Sequence, residues 1–177
     1  MNPTRRVVDF ILGSIALIGL LLSLAVHLSA LLHWGPPAQM GSYVFLHLGI
    51  FVVFVPMVFL MRWEAGSGRM GLAQWRAMFP GWVFVLLVAV MVYTAVNFVL
   101  FMLGTEGGSA ALRDGHYVLS DHGRVVREIT QAEYLGFEAN LVRGFSGHWL
   151  AFYFAAAAYY LLRKPRGNAV LGASYGA

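Results

Sequence analysis

Four stretches of this chain are apolar almost without interruption: residues 10–34, 43–61, 82–103 and 144–162. Each approaches or exceeds the roughly 20 apolar residues that a helix needs to cross about 30 Å of hydrocarbon, and each is too long for a core strand. In the first stretch Gly13, Ala16, Gly19, Ser23, His27 and Ala30 recur at three- and four-residue spacing, so they share one face of a 3.6-residue helix. Seams of small side chains are where membrane helices approach closely. The pattern predicts an all-α integral membrane protein with four transmembrane helices.

Residues 105–143 break that pattern. Residues 116–120 (HYVLS) and 124–130 (RVVREIT) read as strands around a turn at Asp121, His122 and Gly123, which predicts a small hairpin. Thr130 and Glu133 then match a capping box, so a helix starts there and either runs into the fourth apolar stretch or breaks at Gly144 and Gly147. The chain divides into the first three transmembrane helices (1–104), an extracytoplasmic hairpin-helix segment (105–143), the fourth transmembrane helix (144–163) and a cytoplasmic tail (164–177) rich in Gly and Ala. Pro36 and Pro37 make a tight link between the first two spans, Pro80 suits the first turn of the third, and Pro56 falls inside the second and should kink it. Between the second and third spans Trp75, Met78 and Phe79 form an amphipathic stretch suited to the headgroup region.

Composition agrees: 59% hydrophobic and 11% charged residues, against about 45–50% and about 25% in soluble domains. The first stretch exceeds the roughly 7–15 apolar residues of a signal peptide and ends on no A-x-A site, so it reads as a retained helix. With no cysteine there is no disulfide, Cys-ligated zinc, Cys-ligated iron–sulfur cluster or thiol catalysis.

Basic residues flank one side. Arg5 and Arg6 precede the first span, Arg62, Arg69 and Arg76 follow the second, and Arg163, Lys164 and Arg166 follow the fourth. The positive-inside rule then places both termini in the cytoplasm of a bacterial-type inner membrane and residues 105–142 outside. That segment is acidic, with Glu106, Asp114, Asp121, Glu128, Glu133 and Glu138 against Arg113, Arg124 and Arg127. Scattered membrane flanks are no basic patch, so no nucleic-acid partner is indicated.

Under this topology each span places one polar side chain at a similar depth in the outer half: His27, His47, Asn97 and His148. Such groups are costly in hydrocarbon, so all four are expected to point into the bundle. One reading is a packing seam whose histidines bond neighbouring carbonyls. Another is a b-type haem held by two imidazoles, with room beside Ser23, Ala30, Gly49, Gly144 and Gly147, walls from Phe51, Phe54, Tyr93, Phe101, Trp149 and Phe152, and Arg143 pairing a propionate. A third is a quinone site on Ser146, His148 and Tyr153. The candidate cofactor-binding set is therefore His27, His47, His148, Arg143, Asn97 and Tyr93, with no catalytic residue. Asp114, His116, Asp121 and His122 could form an external metal site, although Asp-Gly and His-Gly are ordinary turn chemistry, which is the reading preferred here.

The expected function is a non-catalytic accessory or assembly subunit, partnered by the bilayer and by membrane proteins or further copies of the chain. The alternatives are a b-type haem electron-transfer protein and a quinone-binding subunit.

Overall fold

A computed structural model describes residues 3–32, 40–65 and 71–164. The Pro36–Pro37 link, Trp34, Arg69, Arg166 and the tail lie outside them. Three helices are long and apolar enough to cross a membrane, over Pro3–Leu32, Gly41–Glu64 and Gly81–Leu103, and they make this a membrane protein. The element order is α1 (Pro3–Leu32), a 3₁₀ turn (Met40–Tyr43), α2 (Val44–Ala65), α3 (Leu72–Met78), α4 (Gly81–Leu103), β1 (Ser109–Arg113), β2 (His116–Asp121), β3 (Arg124–Glu128), α5 (Gln131–Ala157) and a π-helical turn (Ala158–Leu162).

Helix α5 is the hub, packing against α1, α4 and α2. It starts at the anticipated capping box: the Thr130 hydroxyl accepts from the Glu133 backbone N–H at 3.2 Å, and the Thr130 N–H donates to the Glu133 carboxylate at 2.7 Å. It then runs through Gly144 and Gly147 without a break. Its buried positions are chemically mixed, including Ser146, Trp149, Tyr153 and Ala156, and the π turn that follows buries Tyr159 and Tyr160 side by side. Two adjacent residues share an inward direction because the wider turn resets the helical phase. Helix α2 continues through Pro56, and the Tyr160 hydroxyl donates to the Val53 carbonyl at 3.0 Å in the turn that the proline loosens.

The glycine seam of α1 is a receptor for large side chains of α5. A Cβ on Gly19 would collide with the Tyr153 ring, and one on Gly13 with Leu161. Tyr153 crosses this gap and donates to the Leu46 carbonyl at 2.7 Å, tying α1, α2 and α5 together.

The end of the bundle remote from the sheet closes on charge. Arg163 donates to Asp9 at 2.7 Å and to Glu64 at 3.0 Å, and Arg5 pairs with Glu64 and lies 3.9 Å from Asp9. Side-chain exposure is only 6% for Asp9, 14% for Glu64 and 13% for Arg163, so two cations and two anions neutralise each other largely out of solvent. Arg163 also stacks on the Tyr159 ring at 4.5 Å.

At the other end lies a three-stranded antiparallel sheet, β1-β2-β3, rather than the two-stranded hairpin expected. Both turns are two-residue hairpins with positive φ at each central position: Asp114 (49°) with Gly115 (83°), and His122 (46°) with Gly123 (86°). That geometry accounts for the Asp-Gly and His-Gly pairs. The turns sit at opposite ends of β2, so Asp114 and His116 are separated from Asp121 and His122 by a strand, and the four do not converge on a metal. The sheet rests on α5, with Val118 and Leu119 buried and the Tyr117 and Tyr134 rings 4.9 Å apart.

Two outcomes check this account. Asp9→Asn is expected to destabilise the protein by about 3 kcal/mol, since it removes one of the two carboxylates that balance the buried cations, whereas Asp121→Asn on the exposed sheet changes little; unfolding in detergent reads both. At the start of α5 the Thr130 N–H, then Arg127 and the Thr130 hydroxyl, hold the Glu133 carboxyl down at about 2 from 4.5. A lowered folded value means the cap's contribution is present above about pH 4.5 and lost as pH falls toward 2. Acid titration of the sheet end followed by NMR should show that loss in the wild type and not in Glu133→Gln.

Candidate functional site

The sequence placed four polar side chains at one depth, but the structure distributes them around α5 instead of gathering them. His27 and Asn97 are each only 2% exposed, His148 and Arg143 are half-buried, and His47 and Tyr93 are exposed. His47 therefore lies at the margin of the α2–α5 seam, one ring edge against Trp149 and the rest exposed.

Residue spacing on α5 explains the dispersal. Ser146 faces His27 of α1, Trp149 faces His47 of α2, and Gly144, Gly147 and His148 face α4. Successive residues on a helix differ by about 100°, so neighbours in sequence address different partners.

The first cluster joins α1, α4 and α5. Ser146 Oγ donates to the Val142 carbonyl at 2.6 Å, which leaves it to accept from His27 Nδ1 at 2.8 Å, and His27 Nε2 accepts from the Tyr93 hydroxyl. The order runs phenol, imidazole, hydroxyl, carbonyl, with each donor used once. One helical turn along α4, Asn97 donates to the carbonyls of Arg143 (3.2 Å) and Gly144 (3.5 Å) and accepts from Arg143 Nη1 at 2.9 Å. Arg143 Nη2 donates to Asn140 Oδ1 at 2.8 Å, and Asn140 in turn donates to the Phe101 carbonyl at 3.1 Å. The Thr94 hydroxyl completes the seam by donating to the Gly147 carbonyl at 3.2 Å.

The second cluster is an aromatic face between α2 and α4, floored by α5. His47, Phe145, Phe101, Phe98 and His148 follow one another at ring separations of 6.1, 6.2, 6.4 and 5.4 Å. Trp149 Nε1 donates to His47 Nδ1 at 3.2 Å, so neutral His47 carries its proton on Nε2 and presents a donor. His148 Nδ1 donates to the Gly144 carbonyl at 2.8 Å, so its Nε2 presents a lone pair. Neither Nε2 has a partner among the described residues.

These bonds set what each polar group has left to offer a ligand. Both nitrogens of His27 are engaged and Nε2 of His47 bears hydrogen, so His148 alone among the three presents a free ring-nitrogen lone pair. The space beside the glycines is filled by side chains: the Tyr153 hydroxyl beside Gly49, the Phe101 ring beside Gly144, and the Asn97 amide beside Gly147. Ser146 and Tyr153 are committed to His27 and to the Leu46 carbonyl, so neither joins His148 on a shared ligand. No cluster of three metal-ligating side chains occurs among the described residues. Ser146, Asn140 and Thr94 complete the α5 network; Asn140 and Thr94 were missed because a lone amide or hydroxyl in an apolar helix carries no spacing signal.

Comparison with protein families, with curated proteins and with solved structures finds no match to this chain.

Removing the phenol from the first cluster isolates its effect. Tyr93→Phe leaves buried His27 Nε2 without a donor and is expected to cost about 1–2 kcal/mol of stability, read by unfolding in detergent. An unchanged stability would mean that the bond contributes nothing to holding α4 against α1.

Proposed function

We propose that this protein is a four-span subunit of a bacterial-type inner membrane, with both termini cytoplasmic and the sheet outside, and that it acts without catalysis inside a larger membrane assembly. The fourth span is the C-terminal part of α5 with its π turn. Its mixed polarity suits a helix enclosed by three apolar ones.

The observation that carries the reading is the outward imidazole of His47. It lies within an apolar membrane helix, exposed, with an unused Nε2–H and a train of aromatic rings beside it. A donor facing hydrocarbon costs several kcal/mol in the limit of no partner. A protein neighbour that offers an acceptor removes that cost and covers the rings. Extraction in mild detergent followed by native electrophoresis tests this: the wild type should migrate in a complex, and His47→Leu should release it while costing no more stability than the lost Trp149 bond, about 1–2 kcal/mol. A wild type that migrates only as the single chain would overturn the subunit reading.

A quinone-type ligand is the second reading, favoured by the same face. A ring carbonyl would accept from His47 Nε2–H, or a quinol hydroxyl would donate to His148 Nε2, with Phe98, Phe101 and Phe145 offering faces for the ring to stack on. Quinone extracted with the wild type but not with His148→Leu would support it over a protein neighbour.

A further inference from the structure

Arg143 is a half-buried cation with no ion-pair partner among the described residues. Its side chain is half-buried and reaches Asn97, which lies six residues inside the end of α4, on the order of 9 Å along the axis. Asn97 and Asn140 take two of its five N–H groups through neutral carbonyl oxygens, which orient the guanidinium without balancing its charge. All eight acidic side chains of the sequence are among the described residues, and none comes within ion-pairing distance. Asp9 and Glu64 serve Arg5 and Arg163, Glu106 and Glu133 serve Arg127, Asp121 and Glu128 lie beside His122 and His116, and Asp114 and Glu138 pair with no cation. The contrast with the other end is direct, since the buried charges there balance two against two.

A guanidinium at this depth needs a counter-anion, and here it has to come from outside the chain. The approach is set by the first cluster. Helices α1 and α4 make no extended contact and are bridged by the His27–Tyr93 bond; Tyr93 is exposed and stands one turn from Asn97. Its phenol already donates to His27, so it can offer only an acceptor. Around this opening Leu24 and Leu31 of α1 and Val96 and Leu100 of α4 are exposed, which is a surface for hydrocarbon chains. An oxyanion head with acyl chains meets both requirements. We propose that Arg143, oriented by Asn97 and Asn140, binds the phosphate of an acidic phospholipid in the opening between α1 and α4. Planar guanidinium suits phosphate through paired N–H bonds. This site lies on a different side of α5 from His47 and does not rest on the subunit reading.

The test uses the full purified chain in vesicles of phosphatidylcholine alone and of phosphatidylcholine with phosphatidylglycerol. The wild type should melt a few degrees higher with phosphatidylglycerol, because a ligand bound only by the folded state raises the melting temperature. Arg143→Gln should abolish that increment, Arg143→Lys should keep part of it, and Arg76→Gln should leave it intact. Native mass spectrometry of the wild type should find phosphatidylglycerol retained in preference to phosphatidylcholine, a readout that holds even if Arg143→Gln does not accumulate. Equal retention of the two lipids, or an increment that survives in Arg143→Gln, would overturn the proposal. So would an equal increment from inorganic phosphate in lipid-free detergent, which would assign the site to the free anion, or a crosslink from position 143 to a carboxylate of another protein.

Discussion

A polar group inside an apolar bundle has to find its partner within a few ångströms, because no water competes for it and none substitutes for it. Helix α5 is where this chain meets that requirement. Its backbone carbonyls at 142, 143, 144 and 147 accept from Ser146, Asn97, His148 and Thr94, so the hub offers acceptors to its own side chains and to α4 alike. Gly144 and Gly147 are what let the Phe101 ring and the Asn97 amide come close, and Asn97 uses two of those carbonyls. The seam between α4 and α5 is thus polar and narrow, whereas that between α1 and α5 is mostly steric, large side chains seated over Gly13 and Gly19.

The two ends of the bundle solve electrostatics differently. Arg5, Asp9, Glu64 and Arg163 form a closed quartet that joins α1, α2 and the chain just past the π turn, and it includes two of the basic residues that mark one side of the membrane in the sequence. Those two therefore have a structural role besides the topogenic one expected from the sequence. Arg143 stands alone with amides, so the same residue type locks one end and leaves a binding capacity near the other.

Much of the architecture was legible before any coordinates. Three of the apolar stretches, the small-residue face of α1, the Thr130 capping box and the glycine turns are local signals with short-range causes, and each lies where the pattern put it. Strand β1 was not, since Ala110 and Ala111 carry little strand preference, although the Asp114–Gly115 pair at its end was the available clue. The site was legible only as an inventory. His27 and Asn97 are buried as their chemistry requires, but that Ser146 would take His27, Trp149 would take His47 and Gly144 would take His148 depends on how α5 is rotated among three neighbours. Spacing within one helix does not encode that rotation. Glu64, half of the closed quartet's negative charge, drew no notice because an acid at a helix end reads as a solvated flank.

The hub is made after the three helices that it joins. Helices α1, α2 and α4 leave the ribosome before α5, and in that interval the Gly13–Gly19 groove is unfilled, Tyr93 and His27 lack the serine that completes their relay, and the two buried acids have only Arg5 between them. Release of Arg163, 154 residues after Asp9, supplies the missing positive charge in the same step that docks Tyr153 and Tyr160. Closure of the bundle therefore waits on the π turn, and a chain truncated before it would lack the Arg163 bridge that joins Asp9 to Glu64.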